Sequence, residues 1–275
     1  MAGRLRGIAV ENSMNGRRVL VVGASTGIGR AIATTAIHRG AEVVFAARRA
    51  ELLDEAVAQA GGGYVVVGDS TTSEGCQAIA DKAAASVGQL DLVVYAAGMS
   101  TIRPIELWTA DEWRNVLFTN VVGASLMTAA CLPHLSKIAI VGYLSSDSAF
   151  KPRHSLTPYA ASKAALEVTI KGWRVEHPDH RFVNVIVGPT TDTDFGANFD
   201  MDLMMATVPV WLAHGDIQIK SMTSPALAAV LLTSLGAALA HPEIDMQELV
   251  LRPPGPLATT FEDLIAAAAA TANHA

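Results

Sequence analysis

From Arg18 onward, short runs of Val, Leu, Ile and Ala alternate with longer stretches in which apolar residues recur at helical spacing. The runs 18–22, 42–47, 64–67, 90–96, 138–144, 182–187 and 249–251 have strand length and little internal polarity, as strands buried on both faces do. Between them a Gly-rich turn opens a helix reaching about Arg39, and further helices are predicted near 51–60, 73–87, 110–135 and 158–176. Pro158 suits a first helical turn, with Thr157 as its cap. Strands alternating with helices in this way predict right-handed βαβ units and an α/β fold built on a doubly wound parallel sheet.

No repeat or linker divides the chain. One domain is expected over 17–258, preceded by a flexible leader at 1–16 and followed by a C-terminal helix or tail at 259–275. Of the 275 residues, 51% are hydrophobic and 17% charged, ample for a sheet covered on both sides. A net charge of −6 and the lack of a basic run exclude nucleic acid as the expected partner. The N-terminus lacks the apolar core of a signal peptide, and no uninterrupted apolar stretch approaches the ~18 residues of a membrane span. A soluble cytoplasmic protein is therefore expected.

Cys76 and Cys131 lie far apart, which predicts buried, reduced thiols rather than a disulfide or metal site. His177 and His180 have no further ligands nearby, so no metal is expected there. Asp192, Asp194, Asp200 and Asp202 read as helix caps and a solvated edge, and Trp108 and Trp113 as core or interface.

The first turn, Gly23-Ala-Ser25-Thr26-Gly27-Ile28-Gly29, carries candidate binding chemistry. Glycines between a strand and a helix let a pyrophosphate approach the helix's positive N-terminus. A site for NAD usually ends the second strand with an acid for the ribose hydroxyls, but this strand runs into Ala47-Arg48-Arg49. An arginine clamps a 2′-phosphate that a carboxylate would repel. NADP is therefore the expected cofactor and NAD the second choice.

Candidate reaction chemistry sits at Tyr159-Ala-Ala-Ser-Lys163, thirteen residues after Ser146. A spacing of four places phenol and ammonium on one helix face. A free phenol has a pKa of about 10, and a nearby Lys⁺ is expected to lower it. A serine hydroxyl alongside would hold a carbonyl or alcohol oxygen while a proton moves to or from it and a hydride moves at carbon.

Gly23-x-x-x-Gly27-x-Gly29, Asn120, Ser146 and Tyr159-x-x-x-Lys163 resemble, in order and spacing, the short-chain dehydrogenase/reductase family in its compact branch of about 250 residues. The resemblance covers roughly 17–193. It implies a single Rossmann-like domain with strand order 3-2-1-4-5-6-7 and a homotetramer or homodimer. It makes Tyr159 the general acid/base and has Lys163 lower its pKa while holding the nicotinamide ribose. Ser146 would orient the substrate oxygen, the interval to Tyr159 favouring it over Ser145. Asn120 would kink its helix and hold a water. Around the cofactor it implies contacts from the glycine turn, Asp69 at the adenine, Ser70, Ala97, Gly98, Pro189, Thr191 and Thr193. Two positions depart from the family pattern: Tyr95 replaces an amide, and Gly188-Pro189 inverts the usual order.

These readings converge on an NADP(H)-dependent interconversion of a ketone and a secondary alcohol. The Met- and Val-rich segment 194–222 is expected to cover a largely apolar substrate. Apolar residues at 225–239 and the last strand are expected to offer pairing surfaces. The alternative is a cofactor-binding redox sensor or scaffold without turnover, against which the complete Asn–Ser–Tyr–Lys set argues.

Overall fold

The computed structural model describes residues 14–197 and 199–272, with side chains of the final helix described to residue 266. The strands are β1 (Arg18–Val22), β2 (Glu42–Ala47), β3 (Tyr64–Val67), β4 (Leu90–Tyr95), β5 (Leu135–Ser146), β6 (Arg181–Val187), β7 (Thr190–Thr191), β8 (Met222–Thr223) and β9 (Glu248–Leu251). The helices are α1 (Gly27–His38), α2 (Ala50–Ala60), α3 (Ser73–Val87), α4 (Ala110–Leu117), α5 (Gly123–Cys131), α6 (Thr157–Glu176), α7 (Met201–Ala213), α8 (Ser224–Ala240) and α9 (Phe261–Ala272). Seven strands form one sheet in the order β3-β2-β1-β4-β5-β6-β9, all pairs parallel. This is the expected order, the seventh strand following the short separate ladder of β7 and β8.

Alternation along each strand feeds two cores. Val19, Val21, Val43, Phe45, Leu92 and Val94 pack on one face with α1, α2 and α8. Leu20, Val22, Val44, Val93 and Tyr95 pack on the other with α3, α5 and α6. Each fully buried side chain of this size contributes about 1.5–3 kcal/mol, which is why uninterrupted apolar runs settle between two helical layers.

The single helix expected over 110–135 is instead α4, a π turn at Phe118–Val122, α5 and a short 3₁₀ turn at Leu132–His134. The run Ala110–His134 is long and apolar enough to cross a membrane by length and composition. Its Val116, Met127 and Cys131 are nevertheless buried, the last two in the core beside α3. Thr157 lies inside α6 rather than capping it; Leu156 precedes the helix, with its carbonyl accepting from Ala160 N at 3.0 Å. Pro158 has no N–H to satisfy, so this end has one donor fewer to cap.

Residues 1–13 of the expected leader lie outside the described residues. Its last part is fixed: Met14 is fully buried in the first core, and Gly16 N donates to Gly40 O at 2.9 Å. Of the apolar residues of α8, Leu227, Leu231, Leu235 and Leu239 pack against the first core, while Val230 remains exposed on the other side of the helix.

One ion pair fastens the base of the sheet. Asp91 on β4 is buried and accepts from Arg18 Nε at 3.0 Å, Arg18 Nη2 at 2.8 Å and Ser136 Oγ at 2.7 Å. Burial pushes the Asp91 carboxyl up, but these bonds outweigh it and hold the group below the ordinary carboxylate range. Because the folded-state pKa is depressed, the stabilisation is present above the unfolded carboxylate pKa of about 3.9 and is lost as pH falls through the lower folded value. Asp91→Ala is expected to cost about 2–4 kcal/mol in urea denaturation at neutral pH, with the gap to the wild type narrowing in acid. An equal gap at every pH would show that the pair's charge is irrelevant.

Candidate active site

The C-terminal ends of the central strands and the segments that follow them line a cavity of about 880 Å³. Its floor is the turn between β1 and α1. Gly23 adopts φ +88, and a Cβ there would stand 2.6 Å from Ala97 N. A Cβ at Gly29 would overlap the Gly23 carbonyl. Only glycine lets the turn press against the end of β4, and this leaves the N-terminus of α1 open to the cavity.

Around this floor the expected cofactor residues collect. Arg48 and Arg49 follow β2 at the cavity wall. Arg49 Nη2 donates to Ser25 Oγ at 3.0 Å and Thr26 Oγ1 at 3.1 Å. Asp69 Oδ1 accepts from Thr71 N at 2.9 Å and Thr71 Oγ1 at 2.8 Å. Burial raises the Asp69 carboxyl, but these bonds and the nearby Arg48 hold it below its usual range. Ser70, Ala97, Gly98, Pro189 and Thr193 also line the cavity.

Thr191 stands apart. It is exposed, absent from the cavity wall, and its hydroxyl donates to Met222 O at 3.2 Å across the β7–β8 ladder; Thr190 is the wall residue. Asn120 is likewise behind the wall, fully buried in the π turn. Its Oδ1 accepts from Met99 N at 2.9 Å, and its Nδ2 donates to Met99 O at 3.0 Å and Ser162 Oγ at 2.9 Å. Asn120 thus ties the segment after β4 to α6, and a π turn takes the place of the expected kink.

Both departures from the family pattern have a local explanation. Tyr95 is buried, and its hydroxyl donates at 2.8 Å to Thr119 O, beside the π turn, while standing 3.2 Å from Ser70 Oγ. Gly188 N donates to Leu251 O, and Pro189 O accepts from Met222 N, each at 2.9 Å. The inverted pair therefore bridges β6 to both β9 and β8.

Ser146 ends β5, while Tyr159 and Lys163 lie one turn apart on α6, and all three line the cavity. Lys163 Nζ donates to Leu144 O at 2.7 Å and stands 5.7 Å from the Tyr159 ring centroid. Burial pushes Lys163 down to about 8, against the opposing charge of Glu167. Burial pushes the Tyr159 phenol up to about 12; Ser146 hydrogen bonding and Arg153 act to lower it, and Asp147 to raise it. The phenol thus moves opposite to the expectation of depression by Lys163, because desolvation of the anion dominates here. Ser145 lines the cavity as well, but its Oγ donates to the buried Glu167 Oε1 at 2.7 Å.

The segment expected as a cover folds partly as α7. Phe195 sets its ring 4.9 Å from that of Tyr159, and Phe199, Met204, Val208 and Trp211 line the cavity. Trp211 is pinned by Nε1 donating to His154 O at 2.9 Å. The sequence reading missed Asp147 and Arg153, which line the cavity beside Tyr159. Their signal was an acid directly after Ser146 and a base six residues on. Cys76 and Cys131 are free and buried as expected, burial raising their thiols to about 11 and about 12. Among the described residues no His, Cys, Asp and Glu cluster suits a metal.

A doubly wound sheet with a glycine-floored groove leading to a Ser–Tyr–Lys corner defines an oxidoreductase of the dinucleotide-binding class. The chain belongs to the short-chain dehydrogenase/reductase family, whose short chain dehydrogenase model matches residues 17–203. It is 32% identical over 193 residues to short-chain dehydrogenase/reductase FrzI of a Cladobotryum species, covering 67% of this chain and 74% of that one. It is 33% identical over 193 residues to 11-beta-hydroxysteroid dehydrogenase-like 2 of Arabidopsis thaliana, covering 67% of this chain but only 62% of the relative. A solved short chain dehydrogenase of Burkholderia cenocepacia in complex with NADP superposes with a TM-score of 0.75 at 26% identity, over 88% of this chain and 98% of that one.

The two adjacent serines are expected to separate cleanly. Ser146→Ala should lower kcat by about 10²–10³, the usual cost of losing a donor to a reacting oxygen. Ser145→Ala should leave kcat within a few-fold yet destabilise the fold by about 1–3 kcal/mol, because the buried Glu167 loses its donor. Steady-state kinetics and denaturation of both variants check this, and a reversed pattern would exchange their roles.

Proposed function

We propose that the protein is an NADP(H)-dependent oxidoreductase that interconverts a ketone and a secondary alcohol, with Tyr159 as general acid/base and a largely apolar substrate. The observation that carries this reading is the shared cavity: Ser146, Tyr159 and Lys163 form one end and the Gly23–Gly29 turn with Arg48 and Arg49 the other. The groove fits a dinucleotide phosphate, because its floor rejects side chains at Gly23 and Gly29 and its wall carries the guanidinium groups of Arg48 and Arg49, the latter 3.8 Å from Asp194 across the cavity, with no acid at the end of β2 itself to repel a 2′-phosphate. When bound, the nicotinamide supplies or accepts the hydride at carbon. In reduction, Ser146 holds the substrate oxygen and Tyr159 gives it the phenolic proton. Lys163, fixed on Leu144 O, keeps a positive charge beside the phenolate that results when that charge form is populated.

Phe195, Phe199, Met204, Val208 and Trp211 support a bulky apolar ketone. The similarity to a protein named as hydroxysteroid dehydrogenase-like supports the same size class. The NADP complex of the Burkholderia relative supports the cofactor. We extend the proposal to a cytoplasmic homodimer or homotetramer of one catalytic domain per chain, with β9, an edge of the sheet, as a pairing surface.

Tyr159→Phe keeps the ring and removes the proton donor. It is expected to bind NADPH within a few-fold of wild type while losing about 10²–10⁴ in kcat across a ketone series of rising apolar size. Retention of more than about a tenth of the activity would remove Tyr159 from the acid/base role. Best turnover of small phosphorylated carbonyls by the wild type would remove the apolar substrate.

Arg48→Ala is expected to weaken NADPH by ten- to a hundred-fold, about 1.5–3 kcal/mol for a charged hydrogen bond, and NADH far less. Fluorescence titration with both cofactors measures the difference. Equal losses would make Arg48 structural.

A further inference from the structure

The wall of the cavity that holds Tyr159 includes Leu264, a residue of the C-terminal helix α9. A short pairing brings that helix to the cavity. After β9 the chain turns back along the end of the cover. Ala258 N donates to Ile217 O at 2.7 Å, Ile219 N donates to Pro256 O at 3.2 Å, and Leu257 faces Gln218 in an antiparallel bridge. Gln218 Nε2 adds bonds to Gly255 O at 2.8 Å and Pro253 O at 3.3 Å. Ala258 is fully buried, so the returning segment is seated in the fold. Its partners Ile217 and Gln218 themselves line the cavity.

A reciprocal cap then starts α9. Asp263 N donates to Thr260 Oγ1 at 3.2 Å, and Asp263 Oδ2 accepts from Thr260 N at 2.9 Å and Thr259 N at 2.8 Å. Such a cap fixes where the first turn begins, and with it the direction of each side chain on that turn. Leu264, the next residue, is half-buried at the cavity wall, whereas Ile265 beside it is 69% exposed. The stretch that receives the returning segment belongs to the substrate end. Directly before it, Asp216 O accepts from Arg153 Nε at 3.2 Å, and the Asp216 carboxylate stands 2.7 Å from Lys151 Nζ. Both bases come from the loop between Ser146 and α6.

We propose that Leu264 is a specificity-determining residue, the apolar contact through which the C-terminal helix selects the size of the ketone or alcohol bound at Tyr159. This rests on the ketone and alcohol activity proposed above. A leucine at a cavity wall offers burial and dispersion to an apolar ligand long enough to reach it. A small ketone held at Ser146 and Tyr159 leaves that contact unused, so the worth of Leu264 rises with the length of the ligand.

The test is kcat/KM for cyclohexanone, a bicyclic decalone and a tetracyclic ketone, with NADPH affinity measured on the same proteins. Leu264→Ala, which removes the contact, and Leu264→Trp, which fills its space, should each lower kcat/KM about tenfold for the tetracyclic ketone and less than about twofold for cyclohexanone. NADPH affinity should stay within about twofold, because the glycine turn and Arg48 lie at the other end of the cavity. Leu264→Met, close in volume, and Ile265→Ala, on the exposed side of the same helix, should both behave as wild type. Equal losses across the series, or the same losses from Ile265→Ala, would make α9 a brace for the fold. A second readout needs no turnover. Leu264→Cys adds one thiol to a chain whose own two cysteines are buried. With NADP⁺ no hydride is available to a ketone, and the tetracyclic ketone should slow alkylation of that thiol by iodoacetamide about fivefold as it covers the wall. If the wild type reduces no ketone, the activity proposed above fails and the alkylation alone decides for Leu264. An alkylation rate unchanged by the ketone would overturn the assignment.

Discussion

The carbonyl of Gly23 lies where a side chain at Gly29 would have to be, and the backbone of Ala97 lies where one at Gly23 would. This contact brings the first turn against the end of β4, on the side of β1 away from β2. The chain leaves β1 and β4 toward opposite faces of the sheet, so a crevice opens between the two departures, where an open α/β sheet places its ligand. The same contact sets the path of Ala97, Gly98 and Met99. Asn120 then clips Met99 with two hydrogen bonds and Ser162 with a third, which places α6 and hence Tyr159 and Lys163. Close backbone contacts and then the hydrogen bonds of the Asn120 side chain thus connect the glycine turn to the corner that holds Tyr159 and Lys163.

At that corner, burial acts on two groups of opposite type. It raises the phenol of Tyr159 and lowers the ammonium of Lys163, in both cases favouring the uncharged form. The surroundings work the other way. Ser146 and Arg153 favour the phenolate, and Glu167 favours the ammonium. The site is therefore a balance between desolvation and a few placed charges, and small changes in either are felt as changes in proton affinity. Glu167 is itself held by Ser145, so that serine bears on Lys163 at one remove.

Much of this was legible in the residues. Uninterrupted apolar runs marked strands buried on both faces, and helix α3 and strands β1 to β3 fall where the pattern put them. The glycine spacing and the Tyr-x-x-x-Lys interval located both ends of the cavity because each reports a local constraint, a close approach or one helix face. What escaped depends on contacts between distant segments. The π turn follows from the grip of Asn120 on Met99, twenty-one positions away, and from Tyr95 reaching Thr119 O. The elevated Tyr159 reflects how completely the phenol is buried, which spacing to Lys163 does not report. Thr191 left the cofactor wall because β7 pairs with β8, a two-residue ladder too short to leave a hydrophobic signature.

That small ladder has a consequence for how the molecule changes over evolutionary time. Thr190 pairs with Met222 and Thr191 with Thr223, so the covering segment begins and ends one strand spacing apart, about 4.8 Å. Everything between those points, α7 included, is a closed excursion whose two ends are held independently of its contents. Lengthening or rewriting it costs little in loop-closure entropy and leaves the register of the seven-stranded sheet untouched. The cover is in effect an exchangeable cassette: it can be rewritten while the glycine-floored groove and the Ser146–Tyr159–Lys163 corner stay as they are.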